Sequence, residues 1–130
     1  MPVITITTVE GRTLQEKQSM ITVVTEAVER IMQKDRAVIR VIINEMRPEN
    51  YALAGITFND RRLNANPEDA KNDIVLEIKL RASKQLEDVD SLSDKLMDAV
   101  KDHPAFTSGD IRIIFSAIKH EAFKIKFYKQ

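Results

Sequence analysis

The chain has 130 residues, 43% of them hydrophobic, enough for one domain with a genuine core. Lys plus Arg and Asp plus Glu balance at 20 each, so no net field draws the protein to nucleic acid or to an anionic membrane, and any cationic role must be local. The absence of cysteine excludes disulfides and thiol chemistry. The two histidines, His103 and His120, are too few for a histidine metal cluster and have no partner pattern, so no metal and no cofactor are expected. Neither a signal peptide nor a membrane-length apolar run is visible, which predicts a cytoplasmic protein.

The chain opens Met1-Pro2-Val3-Ile4-Thr5-Ile6-Thr7-Thr8-Val9-Glu10-Gly11-Arg12. The small residue behind Met1 favours removal of the methionine, which would leave Pro2 as a terminal secondary amine able to act as a base. Proline also suits a strand start, where a missing N–H disturbs no ladder, and that plainer reading stands beside the first. Val3 to Val9 alternate as a half-buried strand, and Glu10-Gly11-Arg12-Thr13 reads as a turn.

Thr13 to about Gln33 is predicted as a helix, capped by Thr13 with Glu16 three residues on. Met20, Val24, Ala27, Val28 and Ile31 form its buried stripe. The β-branched run Ala37 to Ile43 predicts a central strand covered on both faces, with Arg40 as its one charge. A charge there needs a partner or a ligand. Asn50 to Thr57 is expected to be short and extended. Residues 58–73, which include Arg61 and Arg62, are polar without a clear period and read as a solvated linker.

At this point the sequence resembles the 4-oxalocrotonate tautomerase family. The resemblance rests on Pro2-Val3-Ile4-Thr5-Ile6, Glu10-Gly11-Arg12-Thr13, Glu16-Lys17, Val24-Thr25-Glu26-Ala27-Val28, Arg40-Val41-Ile42-Ile43-Asn44-Glu45-Met46, Asn50-Tyr51-Ala52 and Gly55. It covers roughly residues 2 to 55, and family members are usually about half this length.

Sliding the chain by 72 positions explains the rest: Val3 to Gly55 against Val75 to Phe127 gives 10 identities in 53 pairs. The helix stripe transfers as a set, Met20, Val24, Ala27 and Val28 becoming Leu92, Leu96, Ala99 and Val100. The expected organisation is therefore one domain with a first β-α-β unit at 2–57, a linker at 58–73 and a second, degenerate unit at 74–130. The fold class is α/β (α+β): two tandem β-α-β units forming a four-stranded mixed sheet with two helices on one face. The other sheet face, with Val38 and Ile42, should be apolar and bare, which predicts association. The resemblance implies a homotrimer for a double-length chain. Phe123 to Tyr128 is expected to form an edge strand.

The resemblance also implies a chemistry. Pro2 would be the general base that ketonises or isomerises a small unsaturated 2-hydroxy or 2-oxo carboxylic acid. Arg12 and Arg40 match the family arginines that bind the substrate's carboxylates and polarise its 2-oxo group. A cation about 6 Å from the amine, at an effective dielectric of about 20, would cost the protonated form roughly 2.8 kcal/mol, or two pKa units. Tyr51 stands where the family has an apolar phenylalanine. In the second unit Ile74 stands opposite Pro2, Lys84 opposite Arg12, Arg112 opposite Arg40 and Phe123 opposite Tyr51. One working site per chain is expected, with Arg112 or Lys84 contributing to substrate binding. The alternatives are a hydratase, dehalogenase or decarboxylase acting on a small acid, or a non-enzymatic trimeric binding protein. The Tyr51 hydroxyl is a candidate to activate water, while no acidic residue is clearly placed to do so and Glu10 and Asp35 stay open.

Overall fold

The computed structural model describes residues 2–64, 73–82, 89–107, 109–119 and 126. Strand β1 (Val3–Val9) leads through the Gly11 turn, where φ is +122°, into helix α1 (Leu14–Met32). The Thr13 hydroxyl accepts the Glu16 N–H at 3.1 Å, the expected cap. Met20, Val24, Ala27 and Val28 are the buried face of α1. The helix ends on Gln33, held in the left-handed region at φ 50°. Glycine occupies that conformation at lower cost, so Gln33→Gly is expected to raise stability by about 0.5–1 kcal/mol, read as a higher thermal midpoint.

A 3₁₀ turn, Arg36–Val38, precedes strand β2 (Arg40–Met46), because the Asp35 carboxylate caps it by accepting the Ala37 N–H at 2.9 Å. The predicted strand at 37–43 is thus shifted three residues, and Val38 lies outside it. After a second 3₁₀ turn, Pro48–Asn50, come the hairpin strands β3 (Ala52–Leu53) and β4 (Ile56–Thr57) and helix α2 (Phe58–Asn64). The first part of the expected linker is therefore helical. Arg61 is not merely solvated: its Nη2 donates to the Leu53 carbonyl at 2.8 Å, and Arg62 lies 5.7 Å over the Phe58 ring. The second half supplies β5 (Ile74–Ala82), α3 (Val89–Val100) and β6 (Ile111–Lys119). Of Phe123 to Tyr128, only Lys126 is described; the predicted edge strand lies outside the described residues.

The sheet order is β2-β1-β5-β6, with β1·β2 and β5·β6 parallel and β1·β5 antiparallel. β2 is an edge strand, not a central one. Its apolar run divides instead between the two faces: Val41 and Ile43 pair with buried Ile4 and Ile6 on the helix side, while Ile42 pairs with Thr5 on the other.

The register carries the repeat in detail. Val3 pairs with Arg40 and Val75 with Arg112, each residue 72 positions from its counterpart. Between the halves, Thr5 pairs with Glu77, its own counterpart at that offset. A pseudo-twofold axis therefore passes between Thr5 and Glu77. The core it organises is made of Ile4, Ile6, Ile74, Leu76 and Ile78 against Met20, Val24, Val28, Leu96 and Val100, all buried. A fully buried aliphatic side chain of this kind contributes about 1.5–3 kcal/mol relative to leaving it exposed.

The opposite sheet face differs from expectation. Ile42 and Ile114 are 51% and 49% exposed there, but the strands also present Arg40, Thr5, Thr7, Glu77, Lys79 and Arg112 on that side. It is a mixed face with two isoleucine knobs, not an apolar sheet.

Candidate active site

Pro2 is buried and immediately precedes β1, where its carbonyl accepts the Arg40 N–H at 3.2 Å. The pairing of Val3 with Arg40 brings β2 to the same end of the sheet, and Arg40 itself is exposed. These two sequence-predicted residues are neighbours.

Arg12 is elsewhere. β1 runs for seven residues, Val3–Val9, and at about 3.3 Å per residue it separates Pro2 from the Gly11 turn by about 20 Å. At that distance, through water, a unit charge acts on another by only about 0.2 kcal/mol, well beyond the screening length of about 8 Å. Arg12 therefore does not tune Pro2 within one chain.

The guanidinium is committed to other partners. Its Nε donates to Thr8 Oγ1 at 3.0 Å and its Nη1 to the Ala105 carbonyl at 3.4 Å, while Glu16 Oε2 lies 3.9 Å from Nη1. The side chain is only 4% exposed. Burial draws its pKa below the usual arginine value and Glu16 opposes that shift, yet arginine remains cationic. Ala105 belongs to a 3₁₀ turn of the second half, Pro104–Phe106, so Arg12 fastens one unit to the other. His103, assigned no role from sequence, caps that turn: its Nδ1 accepts the Ala105 N–H at 3.1 Å.

Tyr51 and Arg112 also lie at the far end of β1, joined by a residue that the sequence did not single out. The Tyr51 hydroxyl donates to Asp73 Oδ2 at 2.7 Å, and Arg112 Nη1 is 3.5 Å from the same oxygen. Asp73 Oδ1 accepts the Asp110 N–H at 3.2 Å. Burial, followed by the hydrogen bond and charge of Asp73, raises the Tyr51 phenol above its ordinary pKa, with Arg112 and Arg61 pulling the other way. The ring also packs near Phe58, with centroids 6.5 Å apart. Asp73 falls at the end of the polar stretch 58–73, and no motif marks it; the one available signal is its position immediately before Ile74.

The candidate residues thus divide into two corners related by the pseudo-twofold axis. Pro2 and Arg40 form one. Ile74 and Arg112 form the other, with Tyr51 reaching in from the first half. Lys84 lies outside the described residues. The two alternative carboxylates, Asp35 and Glu10, lie at different elements. Asp35 caps its 3₁₀ turn, and Glu10 lies just beyond β1, with its N–H donating to the Met46 carbonyl at 2.8 Å. Among the described residues no cluster of three metal-ligating side chains occurs, and no helix is long and apolar enough to cross a membrane.

This architecture has relatives. The Tautomerase family model, described as tautomerase enzyme, matches residues 2–61. A probable tautomerase of Staphylococcus aureus is 34% identical over 61 residues, spanning its whole length and 47% of this chain. One from Staphylococcus epidermidis is 36% identical over the same extent. Among solved structures, a symmetric trimer of wild-type fused 4-OT superposes with a TM-score of 0.70 at 17% identity, covering 95% of this chain and 90% of that one. FG41 malonate semialdehyde decarboxylase, inhibited by 3-bromopropiolate, gives 0.66 at 13% identity over 98% and 91%. By the sequence of its first half and the fold of both halves, the chain belongs to the tautomerase family, as a fused, double-length member of the 4-oxalocrotonate tautomerase kind.

Proposed function

We propose that the chain is a tautomerase that uses Pro2, freed by loss of Met1, as the general base on a small unsaturated 2-hydroxy or 2-oxo carboxylic acid. The observation that carries this reading is the corner where buried Pro2 meets the start of the Arg40 strand. An α-amino group ordinarily titrates near 8. Partial burial and a nearby guanidinium both disfavour its protonated form, leaving an amine able to accept a proton near neutrality. The amine takes a proton from the enol hydroxyl or from the carbon α to the carbonyl and returns it elsewhere on the conjugated system. Arg40 binds the carboxylate and stabilises the negative charge that develops on oxygen.

The pseudo-twofold axis guides the remaining assignments. Arg12 and Tyr51 are at the Ile74 end, so the second cation and the apolar wall of the Pro2 site are not drawn from them within one chain. The unit at 74–130 has no free amine, which gives one working site per chain. We further propose a homotrimer, with the mixed sheet face and its Ile42 and Ile114 knobs turned inward, in keeping with the symmetric trimer described for fused 4-OT. Sedimentation should give three chains per particle, and a monomer would remove this part.

The reaction is tested by following the ultraviolet change on ketonisation of 2-hydroxymuconate and phenylenolpyruvate. Turnover of either supports the tautomerase reading. Faster release of halide from 3-haloacrylates, or of carbon dioxide from malonate semialdehyde, would replace it with a dehalogenase or decarboxylase working at the same amine. No turnover of any of them, with carboxylates still raising the melting temperature, would make the chain a binding protein.

A further inference from the structure

The Ile74 corner has kept much of what a carboxylate needs and lacks only a base. Arg112, Tyr51 and the Asp110 N–H converge there, two of them donors to one carboxylate group and the third an ion pair with it. That group belongs to Asp73, whose side chain is 12% exposed and uses both oxygens. At the offset of 72, the counterpart of Asp73 is Met1, the residue whose removal would open the Pro2 corner. Processing is thus proposed to free the amine at one corner, and the related corner holds a carboxylate at the matching position of the chain.

We propose that the Ile74 corner is a latent, non-catalytic carboxylate site, which each chain fills with its own Asp73 and which opens to a free small carboxylate only when that side chain is removed. The comparison with the Pro2 corner rests on the tautomerase reading; the site itself rests only on the four residues named. A tethered carboxylate competes as if present at a high local concentration, so a free acid does not displace it. Guanidinium, phenol and backbone N–H are together suited to a planar carboxylate, the phenol's hydrogen bond and the guanidinium's ion pair meeting at one oxygen and the backbone N–H reaching the other, each strengthened by the carboxylate's charge. The raised pKa of Tyr51 fits this arrangement, since the phenol stays protonated and donating. Ionisation above pH 10 would set two negative groups against each other, so the contact is present below that pH and lost as pH rises through the elevated phenol value.

The test removes the tethered acid and supplies a free one. In Asp73→Ala, acetate should give saturable shifts of the Ile74 and Asp110 amide signals in NMR spectra, with at least about tenfold weaker or no response in the wild type. Adding Arg112→Met to that variant should abolish the response. Should Asp73→Ala fail to fold, Asp73→Ser keeps an acceptor for the Asp110 N–H while vacating the carboxylate, and the same shifts are expected. An absent response in the folded variant, an equal response in wild type, or a response that survives Arg112→Met would each overturn the proposal. Repeating the titration with Pro2→Ala added separates the two readings: the Ile74 response should persist whether or not Pro2 is a base.

Discussion

Pro2→Ala should lower turnover of 2-hydroxymuconate by about 10²–10⁴-fold while leaving the fold and the particle size unchanged. A positioned general base is worth about that much, and an alanine terminus offers a primary amine with different basicity and a freer backbone. The structural cost should be small, because the contact that ties Pro2 to the sheet is made by its carbonyl, which alanine retains as an acceptor for the Arg40 N–H. Alanine behind Met1 also still permits removal of the methionine, so processing is not confounded with chemistry. In the wild type, kcat/KM should rise with pH through the titration of the amine, since only its neutral form accepts a proton. Intact mass must show the methionine gone. Full activity in Pro2→Ala, or a native protein that retains Met1, would end the proline-base reading.

The sequence was most legible where one period dominated. The α1 stripe, Met20, Val24, Ala27 and Val28, is the buried face, and the offset of 72 reappears in the strand register. Those features are set by spacing along the chain, which a sequence displays directly. Two other readings failed for reasons of geometry. Strand order is not contained in composition, so the apolar run Ala37 to Ile43 looked central although the strand it enters, Arg40–Met46, forms an edge. Asp35 delayed the start of the expected strand by capping a 3₁₀ turn, a local competition that β propensity does not register. Arg12 sits just past the end of the strand that carries Pro2, as its place in the chain implies, and the extended strand sets the two a strand's length apart. The Asp73 contacts were hidden for the converse reason: Tyr51 and Asp73 are 22 residues apart and meet only after the hairpin and the β1·β5 pairing are in place.

Arg12→Ala should cost about 2–4 kcal/mol of stability, about 10 °C in melting temperature, and should leave turnover per folded chain within about threefold of wild type. The stability loss has a definite source. Thr8 is fully buried, and with the Ala105 carbonyl it would lose the guanidinium donor that now reaches it. Hydrogen bonds to a charged group are worth about 1.5–3 kcal/mol each, while relief of the arginine's own desolvation returns part of that. Arg12→Lys keeps a charge near Glu16 but lacks the forked donors, so its loss should be intermediate. Denaturant midpoints measured beside initial rates separate this clamp from the role the family resemblance implies. A rate loss of about 100-fold or more in Arg12→Ala, with normal stability, would show that the guanidinium leaves Thr8 and Ala105 in the assembled protein to bind substrate at a neighbouring chain's Pro2. The buried geometry favours the clamp, because a side chain 4% exposed with two hydrogen-bond acceptors would have to give up both before it could reach a ligand.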